Sequence, residues 1–127
     1  MKVGQWLRDG NIISQCIEID SCYHNRINEH DLLKFNNIKS KYRLEMYKKV
    51  ANTPQELIEV GDLVELDKKV IDIDYYNFNK NTVFEVFSVD IDGYFGWGNI
   101  TNHSHIRNIT KIYTKQGKDY ICQWEVK

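Results

Sequence analysis

Proline occurs once in 127 residues and glycine only 7 times, so the chain is neither a proline-rich linker nor a collagen-like or glycine-rich low-complexity segment. The 3 cysteines, Cys16, Cys22 and Cys122, form an odd set without a CxxC spacing. That points away from a disulfide framework and toward reduced thiols. No sign of charge dominates: 17 Lys and Arg stand against 18 Asp and Glu, a net charge of -1. Such a balance provides no global field to steer the chain onto nucleic acid or an anionic membrane. No apolar run approaches the length of a membrane span. At the amino terminus Arg8-Asp9 interrupts the chain before an apolar run of signal-peptide length forms. The expectation is a cytoplasmic protein without a membrane contact.

What is present is aromatic and alternating. Aromatic residues make up 13% of the chain, and Tyr (8) outnumbers Phe (5). Tyr can bury its ring while its hydroxyl stays wet, so the excess suits a contact surface as well as a core. Val3 to Arg8, the turn signal Asp9-Gly10 and the Ile-rich stretch Asn11 to Asp20 read as a β-hairpin. From Ile38 onward the apolar residues fit either a strand or a helix. Thr53-Pro54-Gln55-Glu56 has the order of a capping box, with Pro at the first helical position, and predicts a short helical turn. Thr82 to Asp90 alternates as a half-buried strand does. Asp92-Gly93-Tyr94-Phe95-Gly96-Trp97-Gly98 reads as an aromatic hairpin tip, followed by strands over Ile106 to Tyr113 and Asp119 to Val126.

The two parts of the chain also resemble each other. Lys2-Val3-Gly4-Gln5-Trp6-Leu7-Arg8 aligns with Glu59-Val60-Gly61-Asp62-Leu63-Val64-Glu65, and Asn37-Ile38 followed by Tyr42 aligns with Asn108-Ile109 followed by Tyr113. The halves divide as an N-terminal β half over 1–52 and a C-terminal β half over 53–127. At this size neither half commands a large core, so they are expected to pack on each other or on another copy.

The phrase Ile58-Glu59-Val60-Gly61-Asp62-Leu63-Val64-Glu65, with the ending Asn108 to Thr114 and Asp119 to Glu125, resembles small uncharacterised proteins encoded by phages and prophages of low-GC Gram-positive bacteria. The resemblance covers residues 52 to 127, and the first half only through its Val-Gly-x-Trp opening. It implies a mainly β fold of two related SH3-like small-barrel halves packed together, with a short helical turn at the junction, in the cytoplasm of the host cell. The segment Asp67 to Asn81 departs from the pattern. The motifs are fold-level and carry no chemistry across.

Catalytic and metal signatures are weak. His103-Ser104-His105 places two imidazoles on one strand face, but no spacing fixes a third ligand. Ser104 between them is no triad, because strand neighbours point to opposite faces. Asp90-Ile91-Asp92-Gly93 starts like a calcium loop, yet Thr101 stands where a bidentate Glu is required. The expectation is a non-enzyme with no catalytic residues, metal or cofactor. Two readings of the aromatic tip stay open. Phe95 and Trp97 plug the core, or Tyr94, Phe95 and Trp97 join Tyr75, Tyr76, His103, His105 and Arg107 in an aromatic-cationic binding surface. The phage resemblance, the small size, the near-neutral charge and the missing chemistry imply a phage accessory protein that inhibits a host protein, for example a component of an antiviral defence system such as CRISPR. The alternatives are a sponge for a small nucleotide signal, enclosed by a homo-oligomer, and a nucleic-acid-binding small barrel.

Overall fold

The computed structural model describes residues 2–20, 32–36, 38–43, 49–67, 83–98 and 102–127, with 20, 32, 33 and 38–43 described as backbone only. They form two compact units, Met1–Leu57 and Ile58–Lys127. In the first unit β1 (Trp6–Asp9), β2 (Ile12–Asp20), β3 (Leu32–Phe35), β4 (Ile38–Arg43) and β5 (Lys49–Ala51) make an antiparallel sheet of order β4-β3-β2-β1-β5. In the second, β6 (Leu63–Leu66), β7 (Val83–Val89), β8 (Tyr94–Trp97), β9 (His103–His105), β10 (Ile109–Gln116) and β11 (Asp119–Glu125) make a sheet of order β11-β10-β6-β7-β8-β9. The fold is mainly β, as the alternation implies. Barrel closure is the part of the expectation that the structure does not reproduce: among the described residues the pairing order leaves both sheets open.

Local chemistry accounts for the turns. Asp9 pairs with Ile12 across Gly10-Asn11, and Gly10 takes φ of 61°, the conformation that a two-residue hairpin loop asks of glycine. Thr53-Pro54-Gln55-Glu56 opens a 3-10 turn over Pro54–Leu57, and the Glu56 carboxylate accepts the Asn52 and Thr53 backbone N–H groups, each at 3.0 Å. That is the reciprocal half of the capping box. The turn packs on β1, β2 and β5 and so belongs to the first unit, whereas the sequence reading placed it at the head of the second. The Ile38 segment is extended through Arg43; Leu44 to Lys48 lie outside the described residues.

The repeat is deeper than its sequence. Gly4 N–H bonds to the Cys16 carbonyl and Cys16 N–H to the Gln5 carbonyl; Gly61 N–H bonds to the Val86 carbonyl and Val86 N–H to the Asp62 carbonyl. Each opening is closed by a side chain three residues on, Gln5 Oε1 accepting Lys2 N–H and Asp62 Oδ2 accepting Glu59 N–H, both at 2.8 Å. Asn36 N–H to the Gln15 carbonyl has its counterpart in Gly98 N–H to the Glu85 carbonyl. Register shifts fall at Cys16/Glu18 on β2 and Val86/Ser88 on β7. Strands β1 to β5 thus correspond to β6 to β10 in order and pairing, and β11 is an addition to the second unit. One alignment needs correction. Ile38 starts β4 whereas Ile109 starts β10, the counterpart of β5, so the shared Asn-Ile phrase does not mark equivalent strands.

Gly4 and Gly61 hold φ of 96° and 99°, with no atom within 4 Å of an added Cβ. Strain alone therefore sets the cost of alanine. Gly4→Ala and Gly61→Ala are each expected to destabilise their own unit by about 1–2 kcal/mol. Matched shifts in urea unfolding, followed by hydrogen exchange in each unit, check the equivalence; a loss in one unit alone contradicts it.

Buried side chains alternate along β6 and β7. In the first unit the core includes Leu7, Ile13, Cys16, Phe35 and Leu57, and in the second Val64, Leu66, Phe84, Val86, Phe95, Trp97, Ile109 and Ile112. Among the described residues no helix is long and apolar enough to cross a membrane.

Candidate functional site

The hairpin of β7 and β8 turns over Asp90 to Gly93, where Asp90 N–H bonds to the Tyr94 carbonyl and Gly93 N–H to the Asp90 carbonyl. Only Gly93 (φ 89°) and Gly98 (φ 70°) of the three glycines adopt a turn conformation. Gly96 lies within β8, so Tyr94 to Trp97 form a strand where the sequence suggested a tip. The tight turn is earlier, at an acidic tetrapeptide, because the aromatic residues alternate inward and need strand geometry.

That alternation separates the predicted surface residues. Phe95 and Trp97 are 0% and 5% exposed, so they are core and not binding surface. Trp97 lies 4.3 Å from the Phe84 ring, centroid to centroid, and its indole N–H donates to Ser104 Oγ at 2.8 Å. This satisfies both buried polar groups, the condition under which Trp is tolerated inside. Tyr94 faces outward at 46% exposed. Arg107 is exposed too. Tyr75 and Tyr76 lie outside the described residues.

Strand β9 brings the imidazoles beside Tyr94. His105 pairs with Tyr94 and His103 with Gly96, while Ser104 between them is buried opposite Phe95. The Tyr94 and His105 rings meet edge to face at 5.1 Å and 83°. Glycine in the turn and on β8 makes the room: a Cβ on Gly93 would stand 2.9 Å from His105 Nε2, and one on Gly96 would stand 2.6 Å from Ser88 Oγ and 3.7 Å from His103 Nε2. His105 Nδ1 accepts the Arg107 backbone N–H at 3.1 Å, capping the 3-10 turn Ile106–Asn108. An accepting Nδ1 in a neutral imidazole leaves the hydrogen on Nε2, so the ring nitrogen beside Gly93 is a donor rather than a metal-binding lone pair. Among the described residues no three His, Cys, Asp or Glu side chains converge on a metal-sized site.

Sequence reasoning missed the apolar residues beside this cluster. Phe87, Val89 and Ile91 are exposed on the same hairpin, Ile91 at its turn without any cover. Phe87 sits at the register shift of β7, as Ile17, also exposed, does on β2. The alternation of Thr82 to Asp90 was legible and places Phe87 outward after buried Phe84 and Val86; the register shift, which sets Ser88 opposite Gly96 and Val89 opposite Phe95, had no signal.

Two other polar arrangements are occupied internally. Tyr113 Oη donates to Glu65 Oε2 at 2.6 Å, and Lys111 Nζ lies 3.8 Å from Glu65 and 3.7 Å from Glu125. Burial, and then the Glu65 hydrogen bond, push the Tyr113 phenol above its ordinary value. Hydrogen bonding with Tyr113, and then charge including that of Glu125, keep Lys111 protonated beyond the usual lysine range. In the first unit a cavity of about 330 Å³ is lined by residues including Gln5, Asn52 and Glu56, whose polar atoms bond one another or nearby backbone.

No family model, no curated protein and no solved structure matches this chain.

Proposed function

We propose that this chain is a non-enzymatic, phage-encoded accessory protein that binds and inhibits a host protein in the host cytoplasm, a component of an antiviral defence system such as CRISPR being the expected target. The observation that carries the binding reading is the β7–β8 hairpin. It presents Phe87, Ile91 and Tyr94 to solvent while Phe95 and Trp97 anchor it in the core. Apolar and aromatic side chains on a rigid support lose little entropy on docking and supply the centre of a protein interface. His103, His105 and Arg107 supply a polar rim around them. The phage origin and the class of target rest on the resemblance of Ile58 to Glu65 and of the C-terminal strands.

Ile91→Asp and Tyr94→Ala are expected to weaken a reconstituted complex with the identified host protein by at least about tenfold each, with melting temperature unchanged. Affinity purification from host cells, partner identification by mass spectrometry and titration calorimetry make the test. If no protein is recovered and cyclic nucleotides or ADP-ribose derivatives raise the melting temperature instead, the nucleotide-sponge reading replaces this one.

A further inference from the structure

Asp-Gly occurs twice in the chain, at Asp9-Gly10 and Asp92-Gly93, each time at the turn of a hairpin, and Asn-Gly does not occur. Asp-Gly is a chemically labile pair. The Asp carboxyl and the next backbone nitrogen close a five-membered ring, and glycine puts no side chain in the way. How often the two meet depends on how firmly the peptide between them is held. Here the two copies differ. Asp9 is half-buried and lies in β1, paired with Ile12. The Gly10 carbonyl accepts the guanidinium of buried Arg8 at 2.7 Å, so the Asp9-Gly10 peptide is held from both ends. Asp92 is exposed, lies outside any strand, and its carboxylate makes no hydrogen bond or ion pair among the described residues. Ile91 before it has no cover. The Gly93 N–H reaches the Asp90 carbonyl at 3.3 Å, a long and therefore weak bond.

We propose that Asp92-Gly93 is a site of spontaneous covalent modification, at which Asp92 converts to isoaspartate in the folded protein while Asp9 is protected. The Gly93 nitrogen attacks Cγ of the protonated Asp92 carboxyl and gives up its proton, and the carboxyl hydroxyl leaves as water. The product is a succinimide. Water then adds to one of its two carbonyl carbons. Breaking the bond between the nitrogen and the Asp92 main-chain carbonyl carbon leaves the chain linked through Cγ, which is isoaspartate with an unchanged elemental composition. The main chain now runs through Cβ and is longer by one methylene. Gly93 has no freedom to absorb that length, because its carbonyl accepts the Ile106 N–H at 2.9 Å and its Cα is packed against the His105 ring. The length is taken up on the other side, at Ile91 and Asp92. The conversion rests on the chemistry of the turn alone and holds whether or not this surface binds a partner.

The purified full chain is incubated at neutral pH, folded and in urea. Isoaspartate is read by methyl transfer from labelled S-adenosylmethionine with protein isoaspartyl methyltransferase, and located by electron-transfer fragmentation, which breaks the Cα–Cβ bond that only isoaspartate carries in its main chain. In the folded protein position 92 is expected to convert at least about tenfold faster than position 9, which must first be released by local opening. In urea the two rates converge. Asp92→Glu keeps the charge but closes a six-membered ring far more slowly, so it removes most of the methyl signal; circular dichroism melting confirms that this exposed variant folds. A folded chain without isoaspartate at 92, conversion at 9 as fast as at 92, a difference that persists in urea, or a methyl signal undiminished by Asp92→Glu overturns the proposal.

Discussion

Trp97→Ala is expected to destabilise the second unit by about 3–5 kcal/mol, the cost of removing a large aromatic side chain from a packed core. The indole is 5% exposed and packs on Phe84. Its N–H holds Ser104 Oγ, so truncation also leaves a buried hydroxyl without its donor. Hydrogen exchange across β7, β8 and β9 reads the effect, because Trp6 and Trp124 would confuse a fluorescence measurement. Trp97→Phe separates the contributions: it keeps most of the ring volume and loses the hydrogen bond, with an expected cost of roughly 1–3 kcal/mol. In a double-mutant cycle with Ser104→Ala that loss should be partly recovered. A Trp97→Ala protein that unfolds like wild type but no longer binds a partner would show that the indole is surface after all. By contrast, Tyr94→Ala should leave folding alone.

These opposite expectations for residues three apart show where sequence was informative. Alternation alone places Tyr94 out and Phe95 in, and the same rule puts Phe84 and Val86 on the core side of β7. Reading Gly93, Gly96 and Gly98 as one turn signal hid that rule, because a glycine needed for space looks like one needed for φ. Gly96 is the former, cleared for Ser88 and His103. The hairpin at Asp9-Gly10 and the capping box at Thr53 were legible because each depends on residues adjacent in the chain.

The repeat was legible only where it depends on such local chemistry. Val3-Gly4-Gln5 and Val60-Gly61-Asp62 match because both build a turn with φ near 100° closed by a side-chain oxygen. The remaining equivalences, Cys16 with Val86 or Phe35 with Trp97, preserve burial and backbone bonding but not residue identity. A core specifies volume and apolarity more strongly than it specifies a side chain. The misplaced Asn37-Ile38 and Asn108-Ile109 match is the converse, an identity without structural equivalence. Nothing local to Asp119–Glu125 reveals that it lies at an edge, since that depends on pairing between distant strands.

Position 8 shows how far two equivalent strands diverge once their neighbours differ. Arg8 on β1 corresponds to Glu65 on β6, each the last residue of the matched phrase and the next to last of its strand. Glu65 is part of a half-exposed network with Tyr113 and Lys111. Arg8 is 4% exposed, and its guanidinium donates to the Gly10 carbonyl at 2.7 Å, the Leu57 carbonyl at 3.0 Å and Asn11 Oδ1 at 3.2 Å. It therefore ties the β1–β2 turn to the end of the 3-10 turn, 49 residues away in sequence. Arg8→Met keeps much of the apolar stem but leaves the Leu57 and Gly10 carbonyls without this donor. The expected loss is roughly 2–4 kcal/mol of first-unit stability, at about 1–3 kcal/mol for each buried group left unpaired. Arg8→Lys should recover little, because one ammonium cannot reach three acceptors arranged for a fork. Urea unfolding with hydrogen exchange at β1, β2 and Pro54–Leu57 measures both. A cost below about 1 kcal/mol for Arg8→Met, or full recovery by lysine, would mean that the guanidinium fork contributes no more than an ordinary surface hydrogen bond.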